Sequence, residues 1–132
     1  MVLEPINLDY IDKAVYYDIT ITVESLKYLK SLIEIPIDKR LAVHFKVDSG
    51  MNRLGFKNTD EFTESYGLIA NSELLYLEGV YTHFATSGIN DNYYEKQVNN
   101  FLKITKNVNL SLIHIVHADR SITLANKPKL DY

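Results

Sequence analysis

Lys46, Arg53, His83 and Ser121 are the side chains best able to do chemistry in this sequence, and each falls near a strand end or in the loop behind one. Lys46 and Arg53 share the run AVHFKVDSGMNRLGF, residues 42–56. In an extended chain Val43, Phe45 and Val47 line one face, while His44, Lys46 and Asp48 line the other. A strand with charge on one face, ending in a glycine loop that carries an arginine, is a common support for a site. Lys46 points inward on this pattern. A buried ammonium needs an anion, for which Asp48 and Glu78 are the candidates, so a structural ion pair remains open beside a role in a site. The planar fork of Arg53 suits a carboxylate or phenolate oxygen, and a surface salt bridge equally. Gly50 and Gly55 flank it, allowing positive φ and close approach of a ligand.

His83 lies in GVYTHFAT, near the end of its strand and on the face of Tyr81. It reads either as a satisfied core histidine or as a site residue. Ser121 follows HADR where a strand yields to a turn. Backbone N–H groups there can receive a phosphate with help from the hydroxyl, and a simple helix N-cap is the other reading. His114 and His117 do not suggest a metal site, because residues three apart on a strand point to opposite faces and no carboxylate cluster accompanies them. No metal site is expected.

These residues need strands to hold them, and the hydrophobic pattern supplies strands alternating with helices. DITITV, residues 18–23, alternates strictly, and residues 24–34 carry Leu26, Leu29, Leu32 and Ile33 on one helical stripe. A strand over 41–47 precedes a helix over 59–71, for which Asn58, Thr59 and Asp60 offer caps. A strand over 77–84, a helix over 91–105 with Tyr94, Val98, Phe101 and Leu102 on its stripe, and a strand over 112–116 complete the series. Val2 and Leu3 read as a strand remnant cut off by Pro5, and a helical turn is expected over 121–124.

Five strands separated by helices argue for parallel βαβ units in an α/β fold. The polar residues of successive strands, Thr20 and Thr22, His44, Lys46 and Asp48, Tyr81 and His83, recur on one face. An open doubly wound sheet buries both faces in apolar side chains, whereas a barrel is polar near its mouth. The pattern therefore favours part of a (β/α)₈ TIM barrel over an open sheet. A full barrel needs roughly 250 residues, and this chain has 132, so it is expected to be the middle of a larger protein.

Bulk properties exclude several classes. A formal net charge of -3 offers no basic footprint for nucleic acid. No apolar run approaches a membrane span, and the start lacks the basic and apolar regions of a secretory signal. Cysteine is absent, which removes disulfides and thiolate metal sites, and a cytoplasmic location is the default.

The motifs occur in an order that resembles the alanine racemases. Residues 41–56 are similar to that family's HLKVDTGMGRLGF, residues 79–86 to its GIYTHFATA, and residues 117–124 more loosely to its HAANSAAxL. YDITITVESLKYL resembles the strand and helix ahead of the first motif. The resemblance implies a barrel domain that binds pyridoxal 5'-phosphate, followed in the family by a β-rich C-terminal domain and assembled as a homodimer. It implies that residues 1–132 are the central part of that barrel, with the first two and the last strands and the C-terminal β domain absent.

By the same resemblance, Arg53 matches the arginine that contacts the cofactor's phenolic oxygen and the substrate carboxylate. Lys46 matches a lysine often carboxylated on its nitrogen, an anion that orients that arginine. His83 matches a histidine that supports the arginine on the cofactor's pyridine nitrogen, and Ser121 a phosphate-binding serine. Ser49 stands where threonine is usual, while Asp119 and Arg120 replace a small residue and an asparagine ahead of Ser121. No run like VKANAYGHG, which holds the family's Schiff-base lysine, occurs here. The family's tyrosine base belongs to the C-terminal domain. The resemblance thus implies interconversion of L- and D-alanine for the cell wall by the intact enzyme, and no turnover by this chain alone. Racemisation of serine or another small amino acid, a non-catalytic pyridoxal-phosphate protein on a single barrel, and an inert gene remnant are the alternatives.

Overall fold

The computed structural model describes residues 1–86 and 92–118. A 3-10 turn, Leu8–Tyr10, runs into helix α1, Ile11–Tyr16. Strand β1 (Ile21–Val23), helix α2 (Leu26–Ile33), strand β2 (Leu41–Val47) and helix α3 (Thr59–Ala70) follow. Strand β3 (Leu75–Thr82), helix α4 (Asn92–Thr105), a second 3-10 turn (Leu110–Leu112) and strand β4 (Ile115–Ala118) complete the order. The strands form one sheet in the order β1-β2-β3-β4, every neighbouring pair parallel. Parallel strands that stand side by side in chain order, each crossing over by way of a helix, wind in one direction as barrel strands do.

The described residues hold four strands where the sequence pattern suggests five. Val2 donates its N–H to Thr20 O at 2.9 Å, but residues 2–3 make no ladder. They cross the polar face of the sheet instead, with Thr22 Oγ1 donating to Val2 O at 2.7 Å. β1 is also shorter than its alternating pattern, because Asp18 adopts φ 53 and ends α1 in a turn that strand geometry cannot include. Helix α1 escapes the sequence reading, being only six residues long with Ile11 and Ala14 as its buried contacts. The last strand begins at Ile115 rather than at 112, since Asn109 caps the 3-10 turn and holds Leu110–Leu112 out of the sheet. The expected turn over 121–124 lies outside the described residues.

Asn58, one of the caps offered by the sequence, accepts from Glu61 N at the start of α3. Ser25 accepts from Tyr28 N and starts α2 at Leu26, two residues later than the sequence pattern suggests. Leu29 and Leu32 bury the α2 stripe, while Ile33 is 39% exposed. On α4 the buried side chains are Tyr94, Gln97, Phe101, Ile104 and Thr105, and Leu102 faces solvent. One core lies between helices and sheet: Ile21, Val23, Val43, Phe45, Val47 and Val80 meet Leu29, Phe56, Phe62 and Phe101. Phe45, Phe56 and Phe62 form a mutual cluster with ring centroids 5.0–5.6 Å apart. The opposite face of the sheet is buried too, but it is polar. Thr22, His44, Lys46 and Tyr81 lie there at 4 % exposure or less.

Candidate functional site

The site forms where β2 and β3 end. Val47 and Thr82 are in register, and Ser49 Oγ lies 2.8 Å from Thr82 Oγ1, which donates to Val47 O. The loop behind β2 then doubles back along its own strand. Phe56 N–H donates to Lys46 O at 2.8 Å and Asp48 N–H to Phe56 O at 2.9 Å. Gly55 makes this possible: its φ is +127, and a Cβ there would lie 2.6 Å from Asp48 N. Asp48 Oδ1 accepts from Gly50 N and Asn52 N, closing the turn. Tyr93 from α4 donates to Gly50 O at 2.7 Å, and Asn100 Nδ2 to Ser49 O at 3.1 Å. The glycines therefore serve close approach of protein to protein. Both glycines have the expected positive φ, and a Cβ on Gly50 would meet Gln97 and Tyr93.

This rigid return places Arg53 over the strand ends. A cavity of about 360 Å³ opens there, lined by Leu3, Glu4, Lys46, Arg53, Tyr81, Thr82, His83 and His117. Three of the four residues singled out from the sequence therefore meet in one place. Ser121, the fourth, lies outside the described residues, as do Asp119 and Arg120. His83 follows the last residue of β3 and is exposed, which excludes the core-histidine reading.

Lys46 has neither of the partners expected for it. Asp48 is committed to the loop, with its Oδ2 3.7 Å from Lys57 Nζ, and Glu78 Oε2 accepts from Thr20 Oγ1 and lies 3.0 Å from His44 Nε2. The Lys46 ammonium instead sits 5.9 Å from the Tyr81 ring centroid. Burial first, and the Arg53 guanidinium second, push its pKa below the ordinary lysine value, against the pull of Glu4 and Asp48. Arg53 Nη2 lies 3.7 Å from Glu4 Oε1, with both side chains more than half exposed. Such a loose pair holds the guanidinium weakly and leaves it able to take another anion.

Sequence reasoning missed the depth of the polar face below this cavity. His44, Glu78, Tyr81 and His117 pack together, with the His117 ring stacked on Tyr81 at 4.9 Å and 9°. The signal was Gly79 inside a strand, which marks either a bulge or a close neighbour.

The family described as Alanine racemase, N-terminal domain, matches residues 1–132. The chain belongs to this family. Over 125 residues it is 33% identical to the alanine racemase of Streptococcus pneumoniae (strain Hungary19A-6), a match covering 93% of this chain and 34% of that protein. Its fold superposes on the crystal structure of alanine racemase from E. faecalis with a TM-score of 0.86 and 29% identity, covering 96% of this chain and 36% of that one. The histidine racemase from Leuconostoc mesenteroides subsp. sake NBRC 102480 superposes with a TM-score of 0.79 at 25% identity, over 89% and 32%. The chain thus spans about a third of the length of the relatives it matches. The four parallel strands of the described residues fold as part of the alanine racemase barrel, with the helices packed on their apolar face. Among the described residues, no helix is long and apolar enough to cross a membrane.

Proposed function

We propose that this chain supplies the wall of an amino-acid racemase that holds pyridoxal 5'-phosphate and orients an alanine carboxylate. The observation that carries the reading is the meeting of Arg53, Lys46 and His83 at one cavity over the ends of β2 and β3. The donor set fits the cofactor: a weakly held guanidinium suits an anionic ring oxygen or a carboxylate, and His83 is exposed beside it. When bound, pyridoxal phosphate delocalises the charge that builds on the substrate α-carbon.

Arg53 is the binding and orienting residue in this reading, fixing an oxygen of the cofactor and the substrate carboxylate. Burial and Arg53 disfavour the ammonium form of Lys46 and so favour its neutral amine relative to a free lysine. Addition of CO₂ to that amine forms an N–C bond, releases one proton and leaves a carbamate. The product reverses the charge at Lys46 and gives Arg53 a close anionic partner. His83 contributes from the end of β3 toward the cofactor's ring nitrogen through an intervening arginine, and Ser121 toward its phosphate. The lysine and tyrosine that exchange the α-proton come from parts of the protein other than these residues, so the chain by itself does not turn over alanine. The assembled protein is a cytoplasmic homodimer that supplies D-alanine to the cell wall.

Retention of Arg53 favours this reading over a carrier barrel without catalysis, which needs no grip on a substrate carboxylate. The likeness to a histidine racemase keeps amino acids other than alanine, serine included, as the alternative substrate. The test is exchange between L- and D-alanine by the purified, cofactor-loaded protein that carries this chain, with Arg53→Lys beside it. Turnover that falls by roughly 10²–10³ in the variant is expected, as for loss of a preorganised charged donor. A parent protein inert toward every small amino acid would defeat the proposal.

A further inference from the structure

A second polar cluster lies deeper on the same sheet face and has no part in that reading. His44, in the middle of β2, is 2 % exposed. Its Nε2 is 3.0 Å from Glu78 Oε2, and its Nδ1 is 3.4 Å from His117 Nε2 on β4. Glu78 reaches His44 through a bulge. The register passes from Val43 opposite Leu77 to His44 opposite Gly79, leaving Glu78 unpaired and its side chain turned onto the polar face. Thr20 Oγ1 donates to the same carboxylate oxygen at 3.1 Å and holds it there.

The donor count then fixes the protons. An ionised carboxylate only accepts, so the His44 proton belongs on Nε2. A neutral imidazole carries one N–H, which leaves His44 Nδ1 an acceptor that only a proton on His117 Nε2 can satisfy. Among the described residues, none bonds His117 Nδ1. Burial disfavours the charged form of both rings, so neither gains a second proton easily. The His117 ring lies flat on Tyr81, whose hydroxyl donates to Leu3 O at 2.6 Å, and this stacking fixes its plane while the contact with His44 selects which nitrogen faces β2.

The geometry points to a one-way hydrogen-bond chain from His117 through His44 to Glu78, which presents His117 Nδ1 to the cavity as a fixed acceptor. His117 lines that cavity together with Arg53 and His83. The cavity then has two unlike ends: Arg53 takes an anion, and His117 takes a hydrogen-bond donor such as a ligand N–H, ammonium or hydroxyl. Glu78 is a positioning residue here, acting on the cavity through His44. The assignment rests on hydrogen-bond geometry and is independent of the racemase reading.

Long-range ¹H–¹⁵N correlation spectra of the histidine-labelled protein carrying this chain test it directly. His44 and His117 are each expected as a single neutral tautomer protonated on Nε2. Glu78→Leu, which removes the acceptor, is expected to lose that signature at His117 although His117 does not bond Glu78. Glu78→Gln keeps an acceptor oxygen and is expected to retain it. A proton on Nδ1 of either ring, or averaging over both nitrogens, overturns the chain. So does an unchanged His117 in folded Glu78→Leu protein, and if that variant fails to fold, the parent spectrum alone decides. The readout needs neither cofactor nor turnover, so this inference and the racemase reading fail separately.

Discussion

Gly79 lies directly opposite His44, so close that a Cβ added to it would stand 2.6 Å from the imidazole Nδ1 and 2.7 Å from Nε2. Real Cβ contacts do not come that near, and the neighbour is a buried ring already hydrogen-bonded at both nitrogens. Gly79→Ala is therefore expected to destabilise the protein by about 1–3 kcal/mol, the usual range for overpacking. Denaturant unfolding of parent and variant measures it. Equal midpoints would mean that His44 moves aside without loss.

Phe56 closes the loop that carries Arg53, pairing with β2 while its ring packs on Phe45 and Phe62. Truncation to alanine removes a ring that is 1 % exposed, at an expected cost of about 3–5 kcal/mol. Because the same residue anchors the return of the loop, any Phe56→Ala protein that still folds should also bind carboxylate ligands less well. Thermal unfolding and ligand titration read the two effects separately. Full stability in the variant would show that the backbone hydrogen bonds alone fix the loop.

Acid should weaken the fold through His44 and His117. Burial is the leading cause that holds both below the ordinary histidine value of 6.5; hydrogen bonding to Glu78 opposes the shift at His44, and the charge of His44 adds to it at His117. Above about pH 6.5 both rings are neutral whether folded or unfolded, and their contribution is complete. As pH falls below that value the unfolded chain takes up protons that the folded one refuses, so stability declines until the lowered folded values are passed. Urea midpoints between about pH 8 and pH 5 measure the decline. His117→Asn should flatten it. An identical slope in that variant would remove His117 from the account.

The parallel α/β architecture and the meeting of Lys46 with Arg53 were legible in the sequence because each rests on local alternation and turn residues. Charge on one face of β2 and a glycine loop behind it are period-two and turn signals, and both survive folding unchanged. What could not be read is set by register between strands. Nothing in LEGVYTHF says that Glu78 bulges out opposite His44, because the bulge depends on where β2 and β3 pair. Lys46 failed for the same reason. Asp48 and Glu78 are near it in the pattern, yet each is claimed by nearer donors, in the Asp48 turn and on Thr20 and His44.

Lys46 gives the sharpest test of how the site is charged. Its side chain is buried beside Arg53 with no ion pair among the described residues, and a plain ammonium there would repel the guanidinium it faces. A carbamate would attract and orient it instead. In the protein that carries this chain, Lys46→Ala should cost turnover far more than stability. The expected loss is about 2–4 kcal/mol of transition-state stabilisation, the scale of a preorganised electrostatic group. Turnover of the parent should also depend on dissolved CO₂, while the alanine variant should ignore CO₂ and recover in part when a small carboxylate is added. Intact-mass or ¹³C measurements with labelled bicarbonate would detect the adduct on Lys46 directly. Parent-level turnover in Lys46→Ala would leave Arg53 to act without a charge partner and reduce Lys46 to a packed structural cation.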